Sequence, residues 1–300
     1  MAKLNTDWRR KEREKVMDRK AVARETLNIM EQGYYDAEDG GGAKKRIYIR
    51  DHMERSVRRS ILITPEKGGE LLRRYESKDL GEERENAART MCRVEHISTV
   101  DAVRKLALEG RENIGVLNFA SAKNPGGGFI NGAMAQEESL AASGTLYRTL
   151  TANEAYYREN RACQTMMYTD YGIYSPDVMF FRDGRFRLTP EPVKASVLTM
   201  PAVNMGQVVR KGEDVHEAER VMRRRMKLVL AVFADQGAAN LVLGAYGCGV
   251  FQNDPEKVAQ WWKEILEEGF EGCFLSVFYA VYDRSKGQKC LEAFERVFDL

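Results

Sequence analysis

The sequence predicts an α/β fold built on a largely parallel sheet, and three observations carry that prediction. From about Cys92 onward, short apolar runs alternate with amphipathic helical stretches, the pattern of strands joined by crossover helices. The runs at 114–119, 195–203, 241–246 and 274–281 are continuously apolar, as expected of strands covered on both faces. Glycine-rich segments follow two of them, where the ligand loops of an open α/β sheet gather.

Taken in chain order, a charged helix is expected from Asp7 to Met30, closed by Gly33. A turn at Asp39-Gly40-Gly41-Gly42 leads into a short strand over 46–49. Residues 1–90 read as a helical extension packed on a core formed by residues 91–300. After the strand at 114–119 a loop is expected, then a helix beginning in the early 130s. The stretch 153–186 is rich in tyrosine, arginine and asparagine with weak periodicity, and reads as long connections wrapping the sheet. Asp214 followed by Glu217 has the spacing of a capping box, and Gly237 marks that helix's end. Asp254-Pro255 starts another helix, with the acid at the cap and proline at the first turn, and Gly269 ends it. Trp261 and Trp262 are expected to anchor it on the sheet, and Arg223-Arg224-Arg225 to form a solvated face of the preceding helix.

Composition narrows the function. The 300 residues are 43% hydrophobic and 31% charged, with a net charge of +2, so neither disorder nor a general affinity for nucleic acid or membrane is indicated. Arg9 to Lys15 read as a solvated helix face rather than a nucleic-acid arm. No apolar stretch of membrane-spanning length and no signal-peptide pattern is present. The five cysteines are scattered and lack CxxC spacing, which argues against a disulfide framework or zinc site and for the cytoplasm. His52, His96 and His216 share no ligand spacing, so no metal is expected.

Chemistry concentrates in two segments. The first runs from Leu117 to Glu138 and contains Gly126, Gly127 and Gly128. Three glycines in a row carry an entropic cost, and exposed N–H groups for an anion give them a reason. The second, Gly244 to Asp254, repeats the strand–glycine loop–helix design. Neither matches GxGxxG or GxxxxGK[ST], which disfavours a dinucleotide-dependent dehydrogenase or a P-loop enzyme. Glu137 and Glu138 are peculiar beside an anion site unless one protonates a leaving oxygen. Side chains of adjacent helical residues point about 100° apart. One glutamate is therefore expected to be the acid/base and the other a binder. Cys248 reads as a small packed residue rather than a nucleophile.

The arrangement GGG, seven residues, QEE over Gly126 to Glu138 resembles the signature of poly(ADP-ribose) glycohydrolases, and Leu117 to Pro125 resembles their bacterial-type branch. Gly244 to Pro255 is similar to that family's second phosphate loop, with weaker similarity over 171–176, 180–184 and 200–206. The resemblance implies a macrodomain-like α/β/α fold and hydrolysis of the ribose–ribose bond without cofactor or metal. Poly(ADP-ribose) or ADP-ribosylated macromolecules would be the substrate and ADP-ribose the product. Glu138 would be the acid/base, Glu137 would hold ribose hydroxyls, and Gln136 would orient the glutamates or substrate. Gly126, Gly127, Gly128 and Gly247, Cys248, Gly249, Val250, Phe251 would line the diphosphate and distal ribose, with Phe251 packing on the ligand. Asn118 and Ser121 would face the distal ribose, and Asn204 would lie near the ligand. Met205 departs from the small residue the pattern expects, and Tyr246 takes an aromatic position. A non-cutting ADP-ribose reader, or a hydrolase of mono-ADP-ribosylated protein or nucleic acid, are the alternative readings; a reader has no need of Gln136-Glu137-Glu138.

Overall fold

The computed structural model describes residues 18–76 and 89–298. Helix α1 (Arg19–Gln32) is capped by Asp18, whose side chain accepts from the Lys20 and Ala21 N–H groups, and it stops at Gly33. The expected Asp7–Met17 part of this helix lies outside the described residues. A hairpin of β1 (Tyr34–Glu38) and β2 (Lys44–Tyr48) follows, turned at 39–42, where the Gly42 N–H donates to Asp39 O. Next come α2 (Arg50–Arg58), β3 (Ile61–Ile63) and α3 (Pro65–Glu76).

The remainder runs β4 (Met91–Glu95), α4 (Thr99–Leu108), β5 (Ile114–Phe119), α5 (Gln136–Ser143), α6 (Leu146–Ala152), α7 (Glu154–Ala162), β6 (Gly172–Arg182) and β7 (Leu188–Met200). It continues through α8 (Met205–Lys211), α9 (Val215–Asp235), β8 (Asn240–Leu243), α10 (Pro255–Gly269), β9 (Ser276–Ala280) and α11 (Lys289–Val297). Strand order in the seven-stranded sheet is β3-β6-β7-β5-β8-β9-β4. The pairs from β7 through β5, β8 and β9 to β4 are parallel, whereas β6 runs antiparallel to both β3 and β7.

Two cores cover the sheet, one per face, as a three-layer architecture requires. One joins it to α9, α10 and α11 through Met222, Val229, Phe233 and Trp262, with α3 adding Leu71. The other joins it to α4, α5, α6 and α7 through Val103, Leu140, Leu150 and Tyr156. Trp262 is fully buried and its Nε1 donates to Gly244 O at 3.2 Å, so this tryptophan ties α10 to the end of β8. Among the described residues no helix is long and apolar enough to cross a membrane.

Four expectations need correcting. Residues 153–186 hold helix α7 and the eleven-residue strand β6 instead of long connections. This strand is buried on both faces, and a register break between Ser175 and Val178, with Asp177 at φ 52°, hides its period. Helix α5 starts at Gln136, not in the early 130s, because a 3₁₀ turn over Phe129–Asn131 and an extended stretch come first. The third correction concerns Arg225, which is buried rather than solvated and donates to Asp170 Oδ1 (3.0 Å), Met167 O (2.8 Å) and Pro201 O (3.0 Å). Asp214 does cap α9, but Glu217 pairs with Arg220 instead of closing a capping box.

Candidate active site

The first loop leaves β5 at Phe119 and is turned by Ser121, whose Oγ accepts from the Lys123 and Asn124 N–H groups at 3.3 and 3.1 Å. It returns to the sheet at Gln136. That side chain behaves like one more strand residue: its Oε1 accepts from the Phe119 N–H (2.9 Å) and its Nε2 donates to Leu117 O (2.8 Å). A further donation to Thr99 Oγ1 (3.3 Å) reaches α4. Helix α5 is thereby fixed to β5 at its first residue.

The two glutamates then diverge as the helical geometry demands. Glu137 turns inward and is 2% exposed. Its carboxylate accepts from the Ser121 N–H (2.7 Å) and Asn118 Nδ2 (3.3 Å). Burial pushes its pKa up to about 8 against the counter-effect of those donors, and the charge of Glu138 pushes the same way. Glu138 turns toward the loop and stays partly exposed, with Oε1 accepting from the Gly128 N–H and Oε2 from the Ala135 N–H, both at 2.9 Å. Alanine at the cap has no side-chain oxygen, so Glu138 supplies half a capping box from inside the helix.

Both carboxylates close on Gly127, which has φ +59°. A Cβ there would overlap Glu138 Oε1 and lie 3.1 Å from Glu137 Oε2. Only glycine combines that backbone with that proximity. The middle glycine of the triplet is thus required by the acid pair, whereas a Cβ at Gly126 would meet Phe129, Ala141 and Tyr147 and one at Gly128 would meet Ala133. Asn118 is fully buried; its Nδ2 also reaches Thr199 Oγ1 (3.1 Å), while its Oδ1 has no partner among the described residues.

The second loop follows β8, the parallel neighbour of β5, so both glycine loops leave the sheet at the carboxyl ends of adjacent strands. Gly247 sits at φ +74° against Ala202 and Asn253. Asn253, 3% exposed, donates from Nδ2 to Val203 O (2.8 Å) and Gly247 O (3.0 Å), clamping the loop to the end of β7. Asn204 caps α8 by accepting from the Gln207 N–H. Phe251 is partly buried with its ring 6.1 Å from that of Tyr168, and Val250 is 81% exposed. Gly249 is open on all sides. Burial pushes the Cys248 thiol well above its ordinary range, which leaves a packed thiol rather than a nucleophile. Tyr246 is buried between Phe119 and Trp262, and its hydroxyl donates to Met200 O (2.9 Å).

The family model for the microbial-type PARG catalytic domain matches residues 23–183, more than half of the 300-residue chain. The chain belongs to the microbial-type PARG family. Among solved structures it is similar to poly(ADP-ribose) glycohydrolase from Thermomonospora curvata, with 40% identity, TM-score 0.85 and coverage of 93% of this chain and 99% of that one. The same enzyme bound to the inhibitor ADP-HPD gives 39% identity, TM-score 0.83 and coverage of 93% and 98%. The enzyme from Deinococcus radiodurans in complex with ADP-ribose gives 40% identity, TM-score 0.76 and coverage of 82% and 97%. Comparison with curated proteins gave no match.

In this PARG-family chain the structure brings together Asn118, Ser121, Gly126, Gly127, Gly128, Gln136, Glu137 and Glu138 around one helix start. Gly247 to Phe251 and Asn204 lie on the adjoining strand ends. Sequence reading passed over Arg225 and Asn253. Arg225 holds the backbone around Tyr168, a residue at φ 57° whose ring adjoins Phe251. Within the run of three arginines both Arg224 and Arg225 pair with Asp170, and burial against the Met167 and Pro201 carbonyls is what sets Arg225 apart.

Proposed function

We propose that Glu138 is the acid/base of this glycosidase, which cuts the ribose–ribose O-glycosidic bond of poly(ADP-ribose) and releases ADP-ribose. The carrying observation is the partly exposed Glu138 carboxylate, held through both oxygens by the Gly128 and Ala135 N–H groups beside a glycine loop. A carboxyl at that place can give a proton to the departing oxygen and then take one from water. The neighbouring diphosphate of a substrate favours the protonated form of a carboxyl beside it. Gly126 to Gly128 and Gly247 to Phe251 are proposed to hold that diphosphate through backbone N–H groups, with Phe251 against the ligand and Asn204 at its flank. Asn118 and Ser121 would face the distal ribose while Glu137 binds its hydroxyls. The ADP-ribose and ADP-HPD complexes of the Deinococcus and Thermomonospora enzymes support this substrate class. Cytoplasmic residence is proposed on the five free cysteines.

The raised pKa of Glu137 favours a second reading, in which Glu137 delivers the proton itself. One experiment separates the two. Free ADP-ribose is measured after incubation with poly(ADP-ribose) for wild type, Glu138→Gln and Glu137→Gln. Loss of about two to four orders of magnitude in kcat for Glu138→Gln, with ADP-ribose binding kept, supports the proposal. A loss of kcat confined to Glu137→Gln would transfer the role. Binding of ADP-ribose by wild type without release would make the chain a reader, and release only from mono-ADP-ribosylated protein would narrow the substrate.

A further inference from the structure

We propose that a cationic and aromatic rim beside the catalytic loop, formed by Arg19, Lys20, Tyr282, Arg284 and His96, binds the polymer beyond the cleaved bond. Its ligand would be the diphosphate and adenine of the adjoining ADP-ribose unit. The inference rests on the glycohydrolase reading and extends it to the side of the bond that departs.

The rim is built at the ends of two parallel strands. Strand β9 ends at Ala280 and β4 at Glu95, and the Val281 N–H donates to Glu95 O at 3.0 Å. The next residues, Tyr282 and His96, stack their rings at 5.5 Å and 26°. Tyr282 is 53% exposed, and the Arg284 guanidinium lies 4.8 Å from its ring centroid while donating to its hydroxyl at 2.6 Å. An exposed aromatic pair with a guanidinium against it is the arrangement on which nucleobases stack.

The cations reach the catalytic loop itself. A Cβ at Gly132 would lie 3.2 Å from Lys20 Cγ and 3.6 Å from Arg19 Cβ, so both side chains border the segment whose ends hold Glu138. Arg19 rests 5.5 Å from the centroid of the Phe186 ring, and partial burial followed by the charge of Arg284 lowers its pKa. Two guanidiniums are thus held close enough to repel. The nearby carboxylates are engaged elsewhere. Asp18 caps α1 and pairs with Arg24, while Asp283 accepts from the Ser285 and Cys290 N–H groups. Among the described residues neither Arg19 nor Arg284 has a carboxylate partner. Guanidiniums without a paired carboxylate beside a stacking platform suit a ligand carrying both phosphate and base.

The test compares wild type with Arg19→Ala/Arg284→Ala and with Tyr282→Ala on two substrates. One is long poly(ADP-ribose). The other is ADP-ribose bearing a neutral aryl leaving group on the distal ribose, which presents no adjoining unit. Both variants should lose about fivefold to tenfold in kcat/KM on the polymer and stay within about twofold of wild type on the aryl glycoside. The salt dependence of polymer cleavage should be shallower for the double variant. Equal losses on both substrates, or none on the polymer, overturn the proposal. So does a variant that binds single-stranded DNA less well while cutting polymer normally. A wild-type protein that cuts neither substrate would instead defeat the underlying glycohydrolase reading.

Discussion

Replacing Gly127 with alanine should damage the site far more than a single methyl group suggests. At φ +59° an L-residue costs about 1–2 kcal/mol. The new Cβ would also occupy the place of Glu138 Oε1 and press within 3.1 Å of Glu137 Oε2. Relief requires the Glu138 carboxylate to leave the Gly128 N–H, and a hydrogen bond to a charged group contributes about 1.5–3 kcal/mol. The total, on the order of 3 kcal/mol, corresponds to a fall of roughly 5 °C in melting temperature for a domain of this size. A displacement of about 1 Å at the acid should lower kcat by about 100-fold. Melting curves and ADP-ribose release from poly(ADP-ribose) measure the two effects, with Gly110→Ala as control. Gly110 has φ +74° but nothing within 4 Å of an added Cβ, so it reports backbone strain alone. If Gly127→Ala loses no more kcat than Gly110→Ala, the contact between loop and acid pair is not what sets the rate.

Two further outcomes follow from burial. The carboxyl of Glu137 has its pKa raised from 4.5 to about 8, so its contribution to stability is complete below about pH 4.5 and is lost as pH rises through about 8. Urea denaturation of Glu137→Gln should therefore show little difference from wild type near pH 5 relative to a clear gain at pH 9; parallel pH curves would contradict the assignment. Arg225→Ala should cost about 2–3 kcal/mol, because it strands the Met167 and Pro201 carbonyls while Asp170 keeps its pairing with Arg224, and a shift in denaturation free energy below about 1 kcal/mol would refute that.

The parts of this fold that sequence reading reached are those whose cause is local. Strands β5, β8 and β9 are apolar along their length because helices cover both faces, and the acids before α9 and α10 sit where caps must sit. Strand β6 escaped because Ser175, Pro176 and Asp177 interrupt it at a bulge, and because its buried Arg182 looks like a surface residue. Only the fold supplies that arginine with Glu25 and Thr26 on α1. The site divides in the same way. Gly126 to Glu138 could be marked as chemical from spacing, but the inward turn of Glu137 and its raised pKa depend on Asn118, Ser121 and the closure of the loop. Arg225 required knowing that Asp170, fifty-five positions earlier, lies beside it.

The double hydrogen bond from Gln136 to β5 also separates two jobs that share one loop. The Glu137–Glu138 pair is referenced to the sheet, because it follows a residue bonded to the strand. The outer turn from Phe129 to Ala133 lies between that anchor and Gly128, pinned by Phe129 against Val22, Ala23 and Ala141. Exposed residues of this turn such as Ile130 and Asn131 can be exchanged, with buried Phe129 and the Gly128 and Ala135 N–H groups kept, while Glu138 keeps its place. A lineage could therefore retune which chains or modified proteins approach this loop by editing a few exposed positions, leaving Glu137 and Glu138 where they are.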